Sequence, residues 1–357
     1  MKREIELDFV RGIAILMVLD FHSPRGILFY PFRLMGFHHF GWAGVDIFFV
    51  LSGFLVGGLL IKEWKLKGRI NSKVFLIRRG FKIWPQYYLF IVLMLLTGHR
   101  SLGQLWGNLL NIQNYVGGVA HTWSLAVEEH AYLLLVLMLV IAAALRVRMK
   151  VFFVFLTAMT LSVIVLRAIL AAHGVDVYSV THARIDGIFE GVLLATLYHY
   201  APDTFRRLQR PRWLWISILV AVIVYFRLNL RSPVAISFSF DCANAMGIAI
   251  MMLLYKHREG RKRPALYRFV AWIGLYSYGI YLWHVSVIEP TVKVSTHLPP
   301  WFAAIWIALV PSLLGVILGI FFTKVVEFPA LALRDKLFPR PVDSAVGVPA
   351  EVEALPK

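Results

Sequence analysis

The chain has 357 residues, of which 59% are hydrophobic and only 16% charged, with a mean hydropathy of +0.70. Soluble domains carry roughly a quarter charged residues, so this balance excludes a water-soluble protein and points to lipid as the solvent. The formal net charge of +17 would suggest nucleic acid in a soluble chain. Here the Lys and Arg gather between long apolar runs, which excludes that partner and reads as loops kept positive in the cytoplasm.

Apolar stretches of a length to cross a bilayer follow one another at 5–22, 40–61, 75–97, 124–145, 151–172, 186–200, 213–230, 234–255, 269–289 and 301–323. They predict an all-α polytopic membrane helix bundle of about ten transmembrane helices. The first contains Asp8, Arg11 and Asp20 and has no small-x-small cleavage site, so it reads as a retained helix rather than a signal peptide. Loop charge sets the orientation. Lys62, Lys65, Lys67, Arg69 and Lys73 follow the second stretch, Arg146, Arg148 and Lys150 the fourth, Arg206, Arg207, Arg210 and Arg212 the sixth, and Lys256, Arg258, Arg261, Lys262 and Arg263 the eighth. The alternate loops are poorer, with Arg100, Arg184, Arg227, Arg231 and Lys293. The positive-inside rule then places both termini in the cytoplasm. Residues 1–338 read as one membrane domain and 339–357 as a flexible cytoplasmic tail. The single cysteine, Cys242, cannot form an internal disulfide, lacks the company of a metal site, and reads as a small apolar filler.

Ionisable side chains inside a membrane helix cost about 2.5–3.5 kcal/mol each on insertion scales, so each needs a reason. Arg11 and His22 are eleven residues apart, which puts them on one helix face, three turns and about 16 Å apart. Asp8 lies one turn before Arg11 and can pair with it, and Pro24 should end the helix at His22. Counting helical rise through the predicted topology places His121, Trp123, Ser124, Glu128, Glu129, Asp46, Arg184, Asp186 and His284 at a similar outer-leaflet depth. Arg78, Arg79 and Lys82 crowd the cytoplasmic mouth of the third span. Plainer readings exist: Asp46 as a helix N-terminal charge, His284 beside Trp283 as an interfacial anchor, and the basic cluster as a topology signal. Two adjacent acids, Glu128 and Glu129, cannot share one helix face, and the Arg11–His22 pair is the hardest to read as structure alone.

At this point the residues resemble the acyltransferase-3 family of integral membrane O-acyltransferases. The resemblance runs in order through LDFVRGIAILMVLDFH with Arg11 and His22, and GWAGVDIFFVLSGFLV with Asp46, Ser52 and Gly53. It continues in FLIRRGFKIWP with Arg78 and Arg79, HTWSLAVEEHAYLL, ARIDGIFEGVLLA, YSYGIYLWH and VVEFPA with Glu327 and Pro329. Lys82 stands where the family commonly has arginine, and His130 and Ala131 where it has Gln and Phe. The hydrolase-like outer domain of many members is not part of these residues.

The resemblance implies an enzyme of a bacterial inner membrane, moving an acyl group (acetyl is expected) from cytoplasmic acyl-CoA to a hydroxyl of a surface or lipid-linked carbohydrate at the outer face. It implies no metal. His22 would serve as general base or brief acyl carrier, Arg11 would steer the donor, and Glu128 or Glu129 would orient an imidazole or bind acceptor hydroxyls. Arg78, Arg79 and Lys82 would hold the coenzyme's phosphates, with Asp46, Ser52, Trp123, Ser124, Arg184, Asp186 and His284 as substrate-binding or supporting residues. The competing reading is a transporter or flippase of a lipid-linked glycan, in which the same polar residues line a pathway; no repeated halves are visible. Membrane lipid and carbohydrate are the expected partners.

Overall fold

The computed structural model describes residues 4–24, 37–228, 230, 232–256 and 262–339. The predicted tail beyond residue 339 and the loop cations Arg231, Arg258 and Arg261 lie outside the described residues. All regular structure among the described residues is helical.

Each of the ten predicted stretches coincides with helix. In chain order these are α1 Ile5–His22, α2 Ala43–Lys67, α3 Ser72–Leu96, α4 Trp123–Ala144, α5 Met149–Ala172, α6 Asp186–Tyr200, α7 Arg212–Leu228 and α8 Pro233–Leu254. The ninth stretch differs from expectation. It breaks at Tyr276 into α9 Ala265–Leu275 and α10 Ser277–Trp283, then tightens into a 3-10 turn over His284–Val287. The tenth is the long α11, Pro300–Leu337, with a π-turn at Thr323–Glu327.

Among the described residues, five helices are long and apolar enough to cross a membrane unaided, namely α2, α4, α5, α8 and α11. A sixth forms if Pro202–Gln209 and α7, bent by 65°, count as one span. The remainder fall short for a reason: α1 carries Glu6, Asp8, Arg11 and Asp20, α3 carries the basic cluster, α6 is short, and the ninth stretch is broken.

Helix α2 is the axis of the bundle, with 83% of its most apolar stretch buried, against 17% for α5 on the periphery. It packs on α1, α6 and α8, while α1 lies along α9, and α10 lies against α11. The α2–α6 crossing is close enough to require glycine on both sides. A Cβ on Gly191 would collide with the Val50 carbonyl and the Gly53 backbone, and one on Gly53 with the Ile188 carbonyl. Backbone cannot yield as a flexible side chain does, so overpacking here should cost about 1–3 kcal/mol. Gly191→Ala should lower the thermal midpoint of the detergent-solubilised protein, whereas Gly103→Ala, whose Cβ would meet only the Ser101 Oγ at 3.9 Å, should not.

Candidate active site

Two helices end inside the bundle, and the chemistry gathers where they stop. Helix α1 closes at His22 because Ser23, before Pro24, is extended (φ −69°, ψ 125°). Helix α10 closes at Trp283. A helix C-terminus leaves carbonyls without intrahelical donors, and in lipid these must be satisfied within the protein. Imidazole N–H groups add bonds to carbonyls of these last turns, the Ile280 carbonyl also accepting from the His284 backbone N–H. His22 Nδ1 donates to the Val18 carbonyl at 3.0 Å. His284 Nδ1 donates to the Tyr281 carbonyl at 2.8 Å and the Ile280 carbonyl at 3.2 Å. His121 Nε2 donates to the Leu282 carbonyl at 3.1 Å.

These contacts gather three imidazoles. The His22 and His284 rings are 4.9 Å apart between centroids, with His284 Nε2 3.3 Å from His22 Nδ1. The His121 ring lies 5.6 Å from that of His284. A small cavity opens beside His22 and His284, walled by Leu19, Ile288, Pro311 and Ser312. Gly315 of α11 makes room for His284, since a Cβ there would stand 3.0 Å from the His284 Cα. Pro311 is eleven residues from the start of α11, about 16 Å at helical rise. The imidazole pair therefore stands well along α11, away from its first turns.

Around this centre, Tyr281 donates its hydroxyl to the His121 carbonyl at 2.5 Å and accepts from the Ser124 hydroxyl at 2.6 Å. A second cluster gathers Asp46, Arg184 and Asp186 as the depth argument expected. Arg184 pairs with Asp46 at 2.6 Å, both almost wholly buried. Its guanidinium lies 3.5 Å from the centre of the Phe240 ring and 5.3 Å from that of Trp123. Asp186 pairs instead with Arg167 at 2.8 Å and accepts from Asn244 at 3.2 Å. Arg167 also pairs with Asp241 and donates to the Ala183 carbonyl at 2.8 Å.

Two roles are expected for Glu128 and Glu129, orienting an imidazole or binding acceptor hydroxyls; no hydrogen bond among the described residues joins either carboxylate to an imidazole. Backbone carbonyls and a neighbouring ring hold the imidazoles. The Tyr132 hydroxyl lies 3.2 Å from Glu128, bonds the Ser52 hydroxyl, and accepts from Arg79 at 2.7 Å. Arg79 also lies over the Tyr132 ring, 4.6 Å from its centroid. Arg11, paired with Asp8 at 2.8 Å as the one-turn spacing predicts, is within electrostatic reach of Glu128, as Arg79 is of Glu129.

A family model described as an acyltransferase domain matches residues 4–324. The chain belongs to the acyltransferase-3 family. It is 26% identical over 319 residues to a Staphylococcus aureus protein provisionally named as an O-acetyltransferase, covering 79% of this chain and 50% of that one. It is 25% identical over 346 residues to a Listeria monocytogenes protein named peptidoglycan O-acetyltransferase, covering 85% of this chain and 52% of the relative. A Bacillus subtilis protein provisionally named as a peptidoglycan O-acetyltransferase matches at 25% over 328 residues, 81% of this chain and 49% of its own. The chain thus spans about half the length of the curated relatives it matches. No solved structure matches it.

In this acyltransferase-3 chain the basic box is not a free cationic patch. Arg78 pairs with Asp335 at 2.7 Å and donates to the Phe338 carbonyl at 2.6 Å. Arg334 also holds Asp335, at 2.9 Å. Lys82 pairs with Glu327, which is almost wholly buried in the π-turn of α11. With its amide turned to satisfy both neighbours, Gln86 donates to Glu327 at 3.2 Å and accepts from the Trp283 indole at 3.1 Å. That chain of contacts joins the basic box to the residue beside His284. Among the described residues no group of three or more His, Cys, Asp or Glu is arranged to hold a metal.

Sequence reasoning passed over Arg167, Asp241, Tyr132, Tyr281 and Gln86. Arg167 had a signal: a fully buried arginine within an apolar span is costly enough to mark a site. The others are polar groups whose partners lie far off in sequence, so no local pattern announces them.

Proposed function

We propose that the chain is the membrane acyltransferase domain of a bacterial O-acyltransferase, moving a short acyl group from acyl-CoA to a carbohydrate hydroxyl. One observation carries the reading: a pair of imidazoles, His22 and His284, lines a small cavity within a bundle of this family. In the proposed reaction His22 takes the proton of the acceptor hydroxyl as its oxygen bonds to the thioester carbonyl carbon. The carbon–sulfur bond then breaks, and the departing thiolate takes the proton back from His22 to leave as the free thiol. An imidazole suits both transfers because its unperturbed pKa lies near neutrality.

The coenzyme is placed at the basic end. Its phosphates would displace Asp335 from Arg78, since phosphate accepts the same guanidinium bonds and carries more charge. Arg79, Glu128 and Arg11 then flank the path of the thioester arm towards His22, with Lys82 held by Glu327. The acceptor hydroxyl would enter from the opposite end, past Trp123 and Arg184. Cell-wall glycan is the favoured acceptor because two of the relatives carry peptidoglycan in their names. We set the transporter reading aside on the strength of family membership.

Mass spectrometry of surface glycans from cells with and without the gene tests the reading. Deletion should remove an alkali-labile acyl ester, and the wild-type gene should restore it. Unchanged ester content in the deletion strain would contradict it.

A further inference from the structure

Three backbone carbonyls dictate where the protons of the His22–His284 pair reside. A carbonyl accepts and never donates, so the nitrogen facing it must carry the hydrogen. His284 Nδ1 faces the Tyr281 and Ile280 carbonyls at 2.8 and 3.2 Å; it is the N–H, and Nε2 keeps the lone pair. His22 Nδ1 faces the Val18 carbonyl at 3.0 Å and His284 Nε2 at 3.3 Å. Both neighbours are acceptors, so His22 Nδ1 is also an N–H, shared between them. One nitrogen of the pair then has a lone pair that neither ring nor backbone uses: His22 Nε2.

We propose that His284 is a positioning residue, which accepts the His22 Nδ1 hydrogen and so holds the His22 Nε2 lone pair ready as the proton-accepting atom. The inference rests on the reading of His22 as the base. The Val18 carbonyl alone belongs to the preceding turn of α1 and fixes one direction about the ring. A second acceptor from another element, seated against Gly315 of α11, prevents the ring from swinging about that single bond. When Nε2 takes the hydroxyl proton, the ring becomes an imidazolium whose Nδ1 hydrogen bond to His284 strengthens. The arrangement matches the general pattern in which a base is oriented by a third group, here with a neutral imidazole in the orienting place. His284 is almost wholly buried, which fixes its own place beside the His22 ring.

The test combines a spectrum with two variants. Nitrogen-15 histidine spectra of the membrane-reconstituted wild-type protein should show His284 and His22 each protonated at Nδ1 and bare at Nε2. A coupling should connect His22 Nδ1 to His284 Nε2. His284→Ala should lower kcat for acetyl transfer from acetyl-CoA to a peptidoglycan disaccharide about a hundredfold, as loss of an orienting partner typically does, with donor KM nearly unchanged. His284→Gln offers an oxygen near the Nε2 position and an amide N–H for the carbonyls, and should recover at least a tenth of the wild-type kcat. A wild-type spectrum with His284 protonated at Nε2, an undiminished His284→Ala enzyme, or a Gln variant as impaired as Ala would each overturn the proposal. The spectrum needs no substrate. Activity surviving in His22→Ala would sink the base reading while the spectrum still reported on the pair.

Discussion

Arg167→Met should destabilise the bundle by about 3–5 kcal/mol, the range for removing one partner of a buried ion pair. Arg167 is wholly buried and bonds Asp186, Asp241 and the Ala183 carbonyl. Methionine fills much of the same volume, so the loss comes from charge rather than from a cavity. Two carboxylates would then face each other within the bundle, with Arg184 committed to Asp46. Part of the loss should return in Arg167→Met with Asp241→Asn, because the second change removes one orphaned charge. Thermal unfolding of the purified protein in detergent reads both. Equal midpoints for wild type and Arg167→Met would show that the network contributes nothing to stability.

The bundle itself was legible because lipid demands long apolar helices and loop charge alternates. The Asp8–Arg11 pair and the end of α1 at Pro24 were legible because both follow from local spacing and proline stereochemistry. The course of the ninth stretch was harder. Counting helical rise along a straight span does not foresee that it breaks at Tyr276 and tightens at His284. A hydrophobic run shows no such break. The basic box was visible, but its partners were not. Glu327 and Asp335 reach Lys82 and Arg78 across 245 and 257 residues, and nothing in a local pattern encodes such pairs. Glu128 and Glu129 were recognised as unusual, yet their nearness to Arg79 depends on how α3 and α4 meet. Asp46 and Arg184 were placed at a common depth and do pair; the Arg167 that completes their cluster was hidden in the most apolar-looking of surroundings.

His22→Ala should reduce acyl transfer between about a hundredfold and ten-thousandfold, the span expected for loss of a positioned acid–base group, and to background if His22 also carries the acyl group. The variant should still insert. The side chain is partly buried, its hydrogen bond to Val18 is worth about 1 kcal/mol, and α1 is held by its packing on α9 and α2. The Arg11–Asp8 pair three turns away is untouched. The most direct measurement supplies radiolabelled acetyl-CoA to proteoliposomes containing the wild-type or His22→Ala protein, with peptidoglycan disaccharide as acceptor. The account predicts alkali-labile label on the sugar and equimolar free coenzyme thiol with the wild-type protein, and neither with His22→Ala. Label transferred equally by both proteins, or sugar crossing the membrane with no ester formed, would contradict it.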